Sequence, residues 1–185
     1  MAHATEGEID QRMRPLRDSG VLPMGGRGPH APNIDETHAA MMILQMVSRR
    51  VADAHDVGLQ ASILRFAEPP GLSLPFGMPH PKAMNLPAAL IFLFQHPEFP
   101  WRKLDIAVDG TVAWLTIDRD GLLFDLLFIS NPDRLSEVQA NIETYRGFGM
   151  AYCGHRFVLG AGALHVIAAP FNRPTQSGWV GEENA

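Results

Sequence analysis

The sequence predicts an α+β fold, in which an N-terminal helical module is followed by a C-terminal antiparallel β-meander packed with helices. Two Asp-Gly pairs, Asp109-Gly110 and Asp120-Gly121, separate runs of alternating apolar residues and are typical of two-residue hairpin turns. In the first third of the chain, apolar residues instead recur every three or four positions, which is the helical period. With 185 residues, of which 46% are apolar, the chain can bury a sizeable core.

Proline content divides the chain into segments. We predict a helical module over 8–67, a Pro-rich linker over 68–82, an α+β domain over 83–171 and a disordered tail over 172–185. The linker contains the run PPGLSLPFGMPHP, whose prolines disfavour regular secondary structure. The tail is polar and carries no periodic apolar residues, so we expect it to stay outside the core.

The first predicted helix covers 8–19. Ile9, Met13 and Leu16 fall on one face at helical spacing, which gives this helix a single apolar stripe. Gly20 follows directly, and glycine readily adopts the left-handed conformation that ends many helices. The sequence therefore predicts an amphipathic helix that packs along one side.

The second predicted helix begins after Asn33 and ends at Gly58. Asn33 can cap the helix, and Glu36 lies three residues further on, as in a capping box. Arg49 and Arg50 would then lie near its C-terminal end, where the helix dipole favours cations. For the following segment, 60–67, a third helix and a strand are both compatible with the composition, and we favour a helix.

The two Asp-Gly turns fix the register of a three-stranded meander over 103–130. Treating each pair as a two-residue loop places one apolar face on all three strands. The predicted partners on that face are Leu104–Leu115, Ile106–Ala113, Ile117–Phe124, Leu115–Leu126 and Ala113–Phe128. Because a slip of one residue would move every side chain to the other face, the agreement between the two turns supports this register.

The other face of the meander is also apolar, through Val112, Trp114, Leu123, Leu127 and Ile129. A sheet that is apolar on both faces is normally covered on both. The cover is either the chain's own helices or a second subunit. A homodimer formed through the C-terminal domain is therefore one expectation.

Composition disfavours several classes of protein. The single cysteine, Cys153, excludes an internal disulfide framework and a multi-cysteine zinc site. The longest apolar run, 86–94, is too short to span a bilayer, and the first residues do not resemble a signal peptide. We therefore expect a cytoplasmic protein without membrane contact. The net charge of −5 disfavours a uniformly basic nucleic-acid binder.

The positive charge is concentrated near the N-terminus. Six arginines lie between residues 12 and 50, against Asp18, Asp35 and Glu36, so this segment has a local charge of +3. A helix start preceded by Gly-Arg-Gly can present amides and a guanidinium to phosphate. A solvated helix surface explains the same arginines equally well. The residues predicted to contact nucleic acid or a partner protein are Arg14, Arg17, Arg27, His30, Arg49 and Arg50, and Arg12 belongs to the same candidate group of arginines.

No catalytic or metal-binding motif stands out. Cys153 and His155 would share one face of a strand, so a thiolate–imidazole pair is geometrically allowed, but no third group orients the base. No histidine pair has the spacing of a helical metal site. We therefore expect no enzyme activity, no cofactor and no metal, and a small Cys-dependent hydrolase is the least favoured function.

The segment LRDSGVLP at 16–23, followed by GRGPHAP at 26–32 and then Asp35 and HAA at 38–40, resembles the opening of small proteins carried by phages, prophages and gene transfer agents of alphaproteobacteria. These proteins are regarded as regulators of phage-type genes. The resemblance covers the first third of the chain and implies a module similar to a helix-turn-helix. It implies a transcription regulator that binds DNA or a transcription complex. The alternative is a module that acts on RNA polymerase, as an antiterminator does, or on another regulator without touching bases.

Overall fold

The protein has an α+β fold in which helices pack on one five-stranded antiparallel sheet. The computed structural model describes residues 4–25, 33–67, 84–119, 121–132 and 156–168. The helices are α1 (Glu6–Asp18), α2 (Glu36–Gln45), α3 (Ala54–Ser62), α4 (Leu86–Gln95) and α5 (Ala161–Ala168). The strands are β1 (Arg65–Ala67), β2 (Trp101–Ala107), β3 (Val112–Arg119), β4 (Leu122–Ile129) and β5 (Arg156–Gly160), in the spatial order β1-β4-β3-β2-β5. The predicted fold class is confirmed.

The register of the meander is the one that the two Asp-Gly turns predict. Leu115 pairs with Leu104 on one side and with Leu126 on the other, and Ala113 pairs with Phe128. Gly110 and Gly121 both adopt positive φ, at 72° and 82°. At the second turn Arg119 pairs with Leu122, as a two-residue loop requires. The first turn is longer than predicted, because the strands end at Ala107 and begin again at Val112, and the Gly110 amide donates to the Ala107 carbonyl at 2.8 Å.

The two edge strands add pairings between distant parts of the chain. β1 pairs with β4, so Phe66 lies opposite Phe128, and β5 pairs with β2, so Leu159 lies opposite Leu104. The helix favoured for 60–67 is therefore wrong at its end, because α3 stops at Ser62 and residues 65–67 form a strand. Pairing with the free edge of β4 decides the conformation here, and local helix propensity does not.

One face of the sheet and the helices share a single core. Leu44 on α2, Leu90 on α4 and Phe128 on β4 have no solvent-exposed surface and belong to one cluster. Full burial of such side chains stabilises the fold by about 1.5–3 kcal/mol each. Residues of the predicted helical module thus pack into the same core as the sheet. The opposite face carries a second buried cluster of Ala67, Ala107, Val112, Trp114, Leu127 and Ile129.

Helix α1 packs on α2 through a small separate cluster. Met13, Leu16 and Leu22 are buried there, against the partly buried methionines of α2. The predicted end at Gly20 is confirmed, with φ at 74° and a hydrogen bond of 2.9 Å from the Leu22 amide to the Leu16 carbonyl. Thr5 caps the helix, whose first residue is Glu6, two residues earlier than predicted.

The second predicted helix is two helices in the structure. Asp35, rather than Asn33, caps α2, and its carboxylate accepts a hydrogen bond from the His38 amide at 2.9 Å. α2 ends at Gln45, the chain turns over residues 46–50, and a short 3-10 turn leads into α3. Gly58, expected to end a helix, lies inside α3. The predicted linker over 68–82 and the predicted tail over 172–185 lie outside the described residues.

Candidate partner-binding site

The buried guanidinium of Arg12 holds the arginine-bearing turn between α2 and α3 through hydrogen bonds to its backbone. Arg12 on α1 is only 7% exposed. Its Nη1 donates hydrogen bonds to the carbonyls of Gln45 at 3.1 Å and Ser48 at 2.9 Å, and its Nη2 donates to the carbonyl of Arg49 at 3.4 Å. These carbonyls belong to the end of α2 and the turn after it, where a helix leaves its last acceptors without intrahelical partners. A cation at this end also interacts favourably with the helix dipole.

A serine fixes the same turn from within. The Ser48 hydroxyl donates to the Arg50 carbonyl at 2.7 Å and accepts from the Arg50 amide at 3.1 Å. The backbone of Ser48, Arg49 and Arg50 is thereby bound to Arg12 and to the Ser48 side chain. Both arginine side chains on this fixed turn are solvent-exposed, and Arg50 also lies 3.7 Å from the Asp53 carboxylate. We call Ser48, Arg49 and Arg50 the arginine turn.

The other predicted arginines of the described chain lie on a different side of α1. At 100° per residue, Arg14 is about 200° around the helix from Arg12 and so faces away from the arginine turn. Arg14 is exposed. Arg17 lies near the same outward side and forms an ion pair of 2.6 Å with Asp10. The structure therefore brings Arg49 and Arg50 together but places Arg14 and Arg17 elsewhere.

The prediction that Arg12 belongs to an exposed group is wrong. Arg12 satisfies backbone carbonyls inside the protein, which leaves it unable to bind a phosphate or an acidic partner. Ser48 was missed by sequence reasoning, because a serine between a methionine-rich helix and two arginines carries no distinctive signal. Arg27 and His30 lie outside the described residues, as do Cys153 and His155, so their predicted roles stay predictions.

The junction of α1, α2 and α3 also buries unpaired polar atoms. Gln45 is completely buried, yet neither its Nε2 nor its Oε1 has a hydrogen-bond partner in the described chain, and the same holds for Arg12 Nε. The Gln45 amide lies directly against Gly58 of α3, whose missing side chain makes room for it. Buried polar groups without partners cost free energy, so these atoms lower the stability of the junction.

The outward side of α3 carries a different surface. The exposed residues along this side recur at helical spacing, and they are Ala52 just before α3, Asp56 and Leu59 within it, and Ile63 directly after it. Leu59 and Ile63 are 46% and 57% exposed. Neither an arginine nor a lysine occurs on this helix. The arginine turn therefore precedes a helix whose exposed side is apolar with one carboxylate.

The acidic residues of the meander have structural roles. Asp109 accepts hydrogen bonds from the Thr111 amide and hydroxyl in the first turn, and the Thr116 hydroxyl donates to Asp125 at 2.6 Å across β3 and β4. The pKa of Asp118 lies below its ordinary value, mainly because Arg102 donates hydrogen bonds to its carboxylate and secondly because the Gly121 amide does so. Within the described ranges, no group of three or more His, Cys, Asp or Glu residues could hold a metal ion.

No protein-family model, curated protein or solved structure matches this chain. None of the helices in the described ranges combines the length and apolar composition needed to cross a membrane.

Proposed function

We propose that this protein regulates phage-type genes by contacting a protein component of the transcription complex through Arg49 and Arg50. The observation that carries the proposal is the arginine turn, where a buried arginine and a serine hydroxyl fix the backbone beneath two exposed guanidinium groups. A backbone that is fixed before binding loses less entropy when a partner binds, which favours association. Arg14, Arg17, Arg27 and His30 would extend the contact from neighbouring segments.

The surface of α3 supports a protein partner over direct reading of DNA bases. In a helix-turn-helix pair, the second helix enters the major groove and reads base edges with side chains such as Arg, Lys, Asn and Gln. α3 holds that position after α2, but its exposed side carries Asp56, Leu59 and Ile63. A carboxylate and two aliphatic side chains are poorly suited to base edges and phosphates, and are ordinary constituents of protein interfaces.

The outward surface of α1 supports the same choice. Arg14 and Arg17 share this side with Asp10 and Asp18, and Arg17 is paired with Asp10. Such a mixed surface would repel phosphates as well as attract them. This surface is compatible with a protein partner that carries both positive and negative side chains.

The test is a binding titration with two probes, purified RNA polymerase holoenzyme and a duplex from upstream of phage-type genes. We expect saturable binding to the polymerase that weakens at higher salt. Replacing both Arg49 and Arg50 by Gln should weaken polymerase binding about tenfold. Truncating a residue at the centre of an interface often costs more than about 1 kcal/mol of binding free energy, and about 1.4 kcal/mol corresponds to a tenfold change. The matched control is Arg65→Gln combined with Arg102→Gln, which removes two positive charges from the sheet.

Two results would contradict the proposal. Binding to the duplex alone, lost in the Arg49/Arg50 variant, would establish a DNA contact in its place. Equal polymerase binding by the wild type, the Arg49/Arg50 variant and the control would remove the arginine turn from any role in that contact.

A further inference from the structure

Helix α1 is attached to the rest of the protein through a small apolar contact of its own. Met13, Leu16 and Leu22 form a buried cluster against the methionines of α2, and among the described residues none from α1 belongs to the main core. Ile9 lies one turn before Met13 on the same stripe and is 40% exposed. Pro15 lies inside the helix and lacks the amide that would complete one internal hydrogen bond. The apolar contact that holds α1 is therefore limited.

The polar contact of α1 joins this helix to the arginine turn. Arg12 donates hydrogen bonds to three backbone carbonyls, those of Gln45, Ser48 and Arg49. These residues form the end of α2 and the turn after it. Because Arg12 belongs to α1, it can hold the three carbonyls only while the helix is docked. The order of the arginine turn is thus tied to the position of α1.

Docking of α1 also has an unfavourable part. Burial of Arg12 removes a charged group from water, and the three acceptors of its hydrogen bonds are neutral carbonyls. Its Nε has no hydrogen-bond partner in the described chain. Glu8, which interacts electrostatically with Arg12, lies on α1 itself and so does not hold the helix in place. The desolvation of a cation therefore opposes the burial of the apolar side chains and reduces the net gain from docking.

We infer that α1 docks reversibly as a separate unit, and that its release disorders the arginine turn while the sheet and the helices of the main core stay folded. In this sense α1 is a strap that sets whether Arg49 and Arg50 lie on an ordered backbone. The inference goes beyond the proposed function, because it concerns the free protein and holds for any partner of the turn. A partner that binds only the ordered turn would in return stabilise docked α1.

Native-state hydrogen exchange tests the inference on the wild-type protein, measured by NMR at increasing concentrations of urea below the unfolding transition. The reporter amides are those of Met13 and Leu16 in α1, Arg50 in the arginine turn and Leu115 in the middle of the sheet. We expect the first three to exchange through one shared opening that depends weakly on urea, because little surface is exposed. After correction for intrinsic rates, they should exchange at least about tenfold faster than Leu115, which exchanges through global unfolding.

Two substitutions separate the contact of α1 from the main core. Leu16→Ala removes a side chain that is 1% exposed and leaves the hydrogen-bonding groups of Arg12 in place. It should raise the exchange rate of the Arg50 amide at least about tenfold. Ile106→Val is the control, since it removes one methyl group from the main core. It should lower the protection of Leu115 and leave the exchange rate of the Arg50 amide unchanged.

Loss of docking in Leu16→Ala is itself informative. If this variant no longer docks α1, the Arg50 amide should lose its protection while the Leu115 amide stays protected, which supports the inference. Circular dichroism checks that the main core of each variant is folded.

Two results overturn the inference. If all reporter amides of the wild type share one opening with the urea dependence of global unfolding, α1 is not a separate unit. If α1 opens on its own but Leu16→Ala leaves the exchange of the Arg50 amide unchanged, the arginine turn does not depend on the helix. Neither measurement involves polymerase, so the proposed function stands or fails by its own titration.

Discussion

The side-chain amide of Gln45 occupies the space that a side chain at Gly58 would need. A Cβ built at Gly58 would collide with Gln45 Nε2 and would lie 3.0 Å from Gln45 Cδ. Gln45 is completely buried, so its amide cannot swing into solvent to make room. The glycine in the middle of α3 is thus explained by a residue on α2, although glycine weakens helices.

This relationship predicts that Gly58→Ala has opposite effects on the free energy of unfolding when Gln45 is present and when it is replaced by Ala. In the wild type, Gly58→Ala should destabilise the protein by about 1 kcal/mol, because overpacking costs about 1–3 kcal/mol and the gain in helix propensity returns about 1 kcal/mol. In a Gln45→Ala background the obstacle is gone, so Gly58→Ala should stabilise by up to about 1 kcal/mol. Urea unfolding of the four proteins in this double-mutant cycle measures both values. If Gly58→Ala changes the free energy of unfolding in the same direction in both backgrounds, Gln45 is not the reason why residue 58 is a glycine.

The two hairpin glycines offer a second matched pair. Both adopt positive φ, so alanine at either position should cost about 1–2 kcal/mol in backbone strain. At Gly121 a Cβ would meet nothing within 4 Å, whereas at Gly110 it would lie 2.6 Å from the Val57 carbonyl oxygen of α3. We therefore expect Gly110→Ala to destabilise more than Gly121→Ala by at least about 1 kcal/mol in thermal or urea unfolding. Equal losses would mean that the turn does not pack on α3.

The meander could be predicted from sequence because its register depends on local information. Each Asp-Gly pair marks a tight turn, and the alternation of apolar residues then allows only one pairing, in which Leu115 lies between Leu104 and Leu126. The edge strands depend on contacts between distant segments, such as Phe66 with Phe128. Neither residue carries a local signal for its partner, so residues 65–67 could not be assigned to the sheet in advance.

The candidate site could be predicted only in part for the same reason. Arg49 and Arg50 are visible in the sequence as exposed cations. The hydrogen bonds that hold their backbone cannot be seen in the sequence, because Arg12 reaches carbonyls that lie 33 to 37 residues further along the chain. Helical spacing places Arg12 beside the apolar stripe of α1 and Arg14 on the opposite side, but it does not show which carbonyls Arg12 reaches. The break in the second helix lies where these distant hydrogen bonds are made.

The capping of α2 predicts a pH dependence of stability. The hydrogen bond from the His38 amide is the main cause that holds the pKa of Asp35 below its ordinary value of 3.8. Since the folded-state pKa is the lower one, the unfolded chain takes up the proton first as the pH falls. The stabilisation by Asp35 is therefore complete above the ordinary carboxyl range and is lost as the pH falls through the folded-state pKa.

Asp35→Asn isolates this effect, since asparagine also caps helices but does not ionise. Between about pH 7 and pH 3, the free energy of unfolding should fall further for the wild type than for Asp35→Asn. Glu8, Glu98 and Asp118, whose pKa values are also lowered, are common to both proteins and cancel in the difference. Parallel pH profiles from urea unfolding would show that the capping carboxylate does not contribute in this way.

Arg12 should support both the fold and the arginine turn. Arg12→Met keeps most of the buried aliphatic stem but leaves the carbonyls of Gln45, Ser48 and Arg49 without their donors. We expect a loss of about 2–4 kcal/mol in the free energy of unfolding. Arg14→Met is the matched control on the outward side of α1 and should change stability by no more than about 0.5 kcal/mol.

A local measurement distinguishes support of the turn from a general loss of stability. The Arg50 amide donates to the Ser48 hydroxyl, so its hydrogen exchange reports on the order of the turn. In Arg12→Met, this amide should lose more protection than the amides of β3 under conditions where both proteins are folded, and polymerase binding should weaken with it. A uniform loss of protection across α2 and the sheet would instead indicate that Arg12 stabilises the whole protein without ordering the arginine turn in particular.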